Sequence, residues 1–401
     1  DIKIEKRFAM KLVTIPDYEN YRIDAMFDCY KWDPQFLDSN TISKHALVLT
    51  KQEARSLARL TELLDQETRD AELFLNTHLS LAKKLRLPKK LLPELKRMKN
   101  YDPKRHIRLT RYDFHPTKEG EWAISEVNSD VPGGFAEASL LPKLALQYLN
   151  SNKVESIDFG SHLVKALSKK IKKKGTVFFV HCTSYSDDRQ VMQYLGDQME
   201  QHGYHALYGA IDHLRFQNQE AISILDGHQG KVDGIVRFTP LEWVKDIKPK
   251  TWSGYFDTTT PSCNHPIAIF AQTKRFPFVW DQLESYGLSF STWRKLLPDT
   301  IEVTKKAPPG YLYKPAWGRV GEKISIQEAC EEGEYQKILK EVKRHPKRYI
   351  LQKQFSSQLL ESPEGEWFHV CIGSYAVDGK HAGFYARMSR KLRIDSDAED
   401  I

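Results

Sequence analysis

The feature that most limits what this chain can fold into is the alternation of strand and helix signals in its middle. Val177-Phe178-Phe179-Val180 is an unbroken apolar run, the pattern of a strand buried on both faces. Residues 188–201 follow as a helix ending before Gly203, residues 205–209 resume a strand, and residues 232–238 supply another. Strands separated by helices in this way build an open α/β sheet. To its N-terminal side, Leu57, Leu60, Leu63 and Leu64 recur at helical spacing within a helical stretch from Thr50 to about Met98, and residues 71–81 repeat the pattern. The first forty residues are aromatic-rich and read as irregular. Beyond the α/β stretch, strands are expected near 311–314, 349–352, 369–376 and 383–387, and no internal repeat is visible.

A length of 401 residues allows two or three packed domains. No apolar run reaches the length of a membrane span, so no membrane partner is expected. Five cysteines lie far apart without a CxxC pair, which argues against a disulfide scaffold or structural zinc and suits a cytoplasmic location. The net charge of +7 fits an anionic ligand such as a nucleotide. The chain opens on Asp1 rather than Met and stops at Ile401 without a terminating signal, so both ends are expected to be trimmed.

Chemistry concentrates in a β-hairpin expected from residues 107–114 and 122–128, with Pro116 and Gly120 in its turn. At period two, Arg111 and Asp113 share a face of the first strand, and Glu126 and Asn128 share a face of the second. Two carboxylates and an amide brought together there repel unless a hard divalent cation joins them, and Mg²⁺ takes oxygen ligands of this kind with phosphate oxygens. Downstream, Tyr311-Leu-Tyr-Lys314-Pro-Ala-Trp-Gly318-Arg319-Val320-Gly321 carries a lysine into a glycine-bearing loop suited to phosphate, without Walker A spacing. Lys274 follows the apolar run Ile267-Ala-Ile-Phe270, and the strand ending at Gln352 can present backbone groups to a base edge.

Taken in order, these pieces resemble the glutathionylspermidine synthase family. Arg111-Tyr-Asp113 with Glu126-Val-Asn128-Ser-Asp130-Val-Pro132 looks like its metal signature, and Gln272-Thr-Lys274-Arg-Phe-Pro-Phe-Val-Trp280 like its first nucleotide-lysine segment. Lys314 to Gly321 resembles the second lysine and phosphate loop, Gln352-Lys-Gln-Phe355 the hinge strand, and Gly373-Ser-Tyr375 with Ala382-Gly-Phe-Tyr-Ala-Arg387 the closing block. The resemblance covers roughly residues 105–395. It implies an α+β / α/β protein with a circularly permuted ATP-grasp core. The implied parts are a mostly helical region 1–104, a metal-binding hairpin 105–150, a pre-ATP-grasp-like α/β substrate domain 151–260 and a nucleotide-binding part 261–401.

The implied reaction is ATP-dependent amide formation between a small-molecule or peptide carboxylate and an amine, through an acyl phosphate. Asp113, Glu126 and Asn128 would hold Mg²⁺; Lys274, Lys314, Gly318, Gly321 and Gln352 would bind ATP; Arg111 and Arg387 would be catalytic, stabilising the transferred charge. Asp187 and Asp188 fall where the family binds a polyamine, and Thr239 is a substrate-side position. Gly133-Gly134 stand where small hydroxyl residues are usual, which removes donors for a thiol-peptide substrate. No upstream Cys/His amidase segment of the kind some members carry is present in the sequence. Two other readings compete: a catalytically silent ATP-binding scaffold of the same fold, and a nucleic-acid-binding protein. Only the lysine-rich stretch 165–174 argues for the latter, and Leu163, Leu167 and Ile171 beneath it read as the apolar stripe of a solvated helix.

Overall fold

The hairpin forms one side of the main antiparallel sheet in the computed structural model, which describes residues 8–98, 101–318, 321, 323–331 and 333–401. Across this sheet the strands run Glu399–Asp400, Lys380–Ser389, Trp367–Val377, Leu109–Pro116 and Trp122–Asn128. Period two sorts the strand Leu109–Pro116 into two buried faces. Thr110, Tyr112 and Phe114 face a long helix; Arg111, Asp113 and His115 face the other way, toward a cleft.

That helix, Lys51–Thr77, starts with a capping box: Glu53 N–H donates to Thr50 Oγ1 at 3.1 Å and Thr50 N–H to Glu53 Oε2 at 2.8 Å. It buries Leu57, Leu64, Ala71 and Leu75 against the sheet. A buried ion cluster adds direction. Arg108 donates from Nε to Glu72 Oε2 at 2.8 Å and also pairs with Asp65, which accepts from Thr110 Oγ1 at 2.6 Å.

The α/β stretch forms a parallel sheet in the order Ser262–Cys263, Gly234–Arg237, Thr176–Val180, His205–Gly209. Helices Phe159–Lys170 and Ser186–Gln201 contribute Leu163, Leu167, Tyr194 and Leu195 to the same core as Val177 and Phe179, which explains the continuous apolar runs. Leu163, Leu167 and Ile171 are buried while Lys165 and Lys169 are exposed, so the lysine-rich stretch is a solvated face. A third, antiparallel sheet carries Thr300–Glu302, Tyr349–Lys353 and Tyr311–Pro315, with helix Glu334–Arg344 packed on it through Ile338 and Val342.

Two expectations need correction. The first forty residues are not irregular: Lys11–Thr14 pairs with His45–Val48, and Tyr18–Asp28 is a helix. That helix buries only Tyr21 and Ala25, too few apolar positions to raise a periodic signal. The repeated helical pattern at 71–81 is not a second helix. It continues the first to Thr77 and passes into a 3₁₀ turn, Leu79–Leu85. No helix among the described residues is long and apolar enough to cross a membrane, and all five cysteines are free thiols.

Candidate active site

A cleft opens between the main sheet and the third sheet. Its lining includes Asp113, Glu126, Lys274, Lys314, Gly318, Gly321, Gln352 and Arg387, which sequence reasoning drew from five separate segments. Arg319 and Val320 of the expected phosphate loop lie outside the described residues.

The hairpin shapes the anionic corner. Arg111 pairs with Asn128 and Tyr112 with Val127, but Phe114 pairs with Ile124, leaving Ser125 and Glu126 to face Asp113. This bulge is of the kind that re-aims side chains beside binding sites. Asn128 Nδ2 donates to Asp113 Oδ2 at 3.2 Å. Arg111 grips the same carboxylate with a fork, Nε to Oδ1 at 2.7 Å and Nη2 to Oδ2 at 3.0 Å, and gives Nη1 to Gly133 O at 3.0 Å. Gly373 is required beneath it, because a Cβ there would sit 2.6 Å from Arg111 Cδ. Tyr385 lies under the guanidinium, with its ring centroid 5.2 Å from Cζ.

The cationic side comes from two distant segments. Lys274 Nζ reaches Glu126 Oε2 at 2.6 Å and Gly318 O at 2.6 Å, while its backbone N–H donates to Ala316 O at 3.0 Å. This ties the first lysine segment to the loop that carries the second. Burial works against the ionised Glu126, but Lys274, Lys314 and Arg111 outweigh it and hold its carboxyl down at about 2. Burial, opposed by Glu126 and reinforced by Lys274, pushes Lys314 down to about 8. Lys314 is therefore a cation below that pH and loses its charge as pH rises through it. Arg387, buried nearby, keeps its charge: burial opposes it, and Tyr385 and Cys371 favour it more.

Gln352 hydrogen-bonds Thr300 Oγ1 at 3.0 Å on the third sheet. The segment after Arg387 closes the cleft as a strap. Leu392, Arg393 and Ile394 line it, Arg393 pairs with Glu334 at 2.8 Å, and a Cβ on Gly321 would lie 2.9 Å from Ile394 O. The cavity is about 100 Å³.

The remaining expected residues stand apart. Gly133 adjoins the cleft through Arg111 and Tyr375, whose hydroxyl donates to its carbonyl at 2.5 Å; Gly134 follows with φ +86°. Thr239, Asp187 and Asp188 sit beyond the carboxyl ends of the parallel strands, the edge where such sheets bind ligands. Asp187 is exposed, Asp188 accepts from Cys182 N–H at 3.4 Å, and neither lines the cleft. The buried pair Arg237–Asp130, 2.5 Å, joins the two regions. Sequence reasoning assigned no role to that pair, nor to His115 and Ser125, which bond at 3.0 Å in the cleft wall. Period two from Asp113 points to His115; nothing local marks Arg237.

The family model for glutathionylspermidine synthase preATP-grasp matches residues 18–399. The chain belongs to this family. Its fold is the permuted, ATP-grasp-like fold of glutathionylspermidine synthases, and membership supports an ATP-dependent ligase at the level of the family. A glutathione synthetase-like effector from Globodera pallida, in apo form, superposes with a TM-score of 0.61 over 97% of this chain and 98% of that one. At 15% identity that likeness is one of fold. A gamma-glutamylcysteine synthetase-like protein from Methylobacillus flagellatus KT reaches 0.46 at 12% identity, over 85% of this chain and 87% of that one. No curated protein matches the sequence.

Proposed function

We propose that the protein is an ATP-dependent carboxylate–amine ligase that makes an amide through an acyl phosphate. The observation that carries this is the convergence of Lys274 and Lys314 on Glu126 from segments forty residues apart. Lys274, Lys314 and Arg387 line one cleft with Asp113 and Glu126, and Arg111 pairs with Asp113 behind it, an excess of positive charge suited to a polyanion.

The donor set also fits Mg²⁺. Asp113, Glu126 and the Asn128 amide offer hard oxygens. Among the described residues no three of His, Cys, Asp and Glu form a metal-holding group, so the remaining ligands would be phosphate oxygens. The metal, when bound, supplies charge neutralisation to the phosphates. Lys274 and Lys314 bind and orient the same phosphates, with Gly318 and Gly321 admitting them to the loop and Gln352 holding the hinge. A substrate carboxylate oxygen takes the terminal phosphoryl group and ADP leaves; an amine then attacks the acyl carbon, loses a proton and displaces phosphate. Arg111, which holds Asp113 by a two-bond fork, and Arg387 would stabilise negative charge in both steps. In this reading residues 105–150 and 261–401 make the ATP-grasp core, 1–104 buttresses it, and 151–260 presents the amine.

ADP release across a panel of carboxylates and amines tests the reading. A carboxylate and an amine are both expected to be needed, and Mg²⁺ with them; release of no ADP from any pair would favour a silent scaffold. Within that panel the Asp187→Asn/Asp188→Asn variant should raise the KM for the amine at least fivefold and leave ATP binding unchanged. The helix Ser186–Gln201 has no side-chain cap, both acids lie in its first turn, and Asn keeps their volume, so fold and recognition are separated. An unchanged amine KM would leave the pair only the role of acids in the first turn of a helix.

A further inference from the structure

The cleft has an uncharged end. Along the strand Trp367–Val377, Gly373, Cys371 and His369 share one face and step away from Arg111. Gly373 stands opposite Asp113 and Cys371 opposite Arg387. His369 is two residues further, about 7 Å along an extended strand. There the segment after the hinge lies against the end of Leu109–Pro116: Gln358 N–H donates to Pro116 O at 2.8 Å, Lys118 N–H to Ser356 O at 2.9 Å, and Ser357 bridges Thr117. Ser357 and His369 both line the cleft.

Ser357 Oγ and His369 Nδ1 are buried and have no hydrogen-bond partner among the described residues. Leaving such an atom unpaired costs about 1–3 kcal/mol, so the pair calls for an explanation. Several other polar groups in and behind the cleft are matched: Arg111 with Asp113, Lys274 with Glu126, His115 with Ser125, Gln352 with Thr300.

We propose that Ser357 Oγ and His369 Nδ1 form the subsite for the nucleotide's sugar, each taking one hydroxyl of its 2′,3′-diol. The inference rests on the ATP reading above. The chemistry excludes the other parts of the nucleotide. A phosphate needs positive charge, and burial, with Lys118 adding to it, holds the His369 imidazole neutral. A base edge presents fixed donors and acceptors, which the backbone leaving Gln352 can match. Hydroxyls both donate and accept, as a serine hydroxyl does and as either tautomer of a neutral imidazole allows.

The test is calorimetric titration with Mg·ATP, Mg·2′-deoxyATP and Mg·3′-deoxyATP. The parent should bind ATP roughly tenfold more tightly than at least one deoxy analogue. Ser357→Ala and His369→Phe should each lose affinity for ATP, and each should bind within twofold of the parent the one deoxy analogue that lacks the hydroxyl it takes. His369→Asn, which keeps a polar atom near the Nδ1 position, should recover part of the preference. Equal binding of all three nucleotides by the parent would overturn the inference, as would equal losses for ATP and both analogues in the variants. A parent that binds no ATP would overturn the ATP reading itself, a distinct result.

Discussion

Glu126→Gln is expected to lower Mg²⁺-dependent ADP release on the order of 10³-fold, in whichever acid–amine pair supports it. The carboxylate does two jobs that the isosteric amide cannot. It offers a charged oxygen to the metal, and it pairs with Lys274 while opposing the burial that pushes Lys314 down. Metal-assisted stabilisation of transferred charge contributes several kcal/mol, and each 1.36 kcal/mol is tenfold in rate. Gln preserves the volume and the hydrogen bond to Lys274, so thermal unfolding should match the parent. Release within threefold of the parent, with matched unfolding, would remove Glu126 from the metal site.

The largest stability effect is expected at Arg108→Met. Its guanidinium answers two carboxylates, Asp65 and Glu72, that are themselves buried in the interface between the long helix and the main sheet. Breaking a buried pair by removing one partner typically costs about 3–5 kcal/mol, because the charge left behind has neither water nor a counter-ion. Asp65 Oδ2 already lacks a partner, which leaves little slack. The sign with pH follows. Burial already raises Glu72 and Arg108 is its main opponent, so without Arg108 the folded-state value stands further above the unfolded one; the loss is greatest above that range and is relieved as falling pH protonates the carboxylate. Urea unfolding at pH 8 and pH 5 checks this. Adding Asp65→Asn and Glu72→Gln to Arg108→Met should recover part of the loss at pH 8. A single variant as stable as the parent at pH 8 would contradict the role given to the cluster.

What the sequence showed of this molecule follows from the range of the interactions involved. Val177–Val180 and the hairpin at 109–128 were legible because local periodicity and burial agree there. The helix Tyr18–Asp28 was not, since only two of its residues are buried. In the site, Asp113, Glu126 and the two lysines stood out through the order of short motifs, which local physics alone leaves as ordinary surface groups. The bulge at Ser125–Glu126 and the Arg111 fork on Asp113 depend on tertiary register and could not be read from spacing. Arg237–Asp130, 107 residues apart, has no local signature at all.

The central claim is that Lys274 and Lys314 act on one triphosphate. Nucleotide titration of Lys274→Ala, Lys314→Ala and the double variant tests it most directly. Hydrogen bonds to charged groups contribute on the order of 1.5–3 kcal/mol, so each single change should weaken ATP binding about tenfold or more, and the double should depart from additivity. Between pH 7 and pH 9 the parent's affinity should fall about tenfold as Lys314 loses its proton, and the Lys314→Ala variant should show no such fall. Both single variants binding ATP as tightly as the parent would contradict the account.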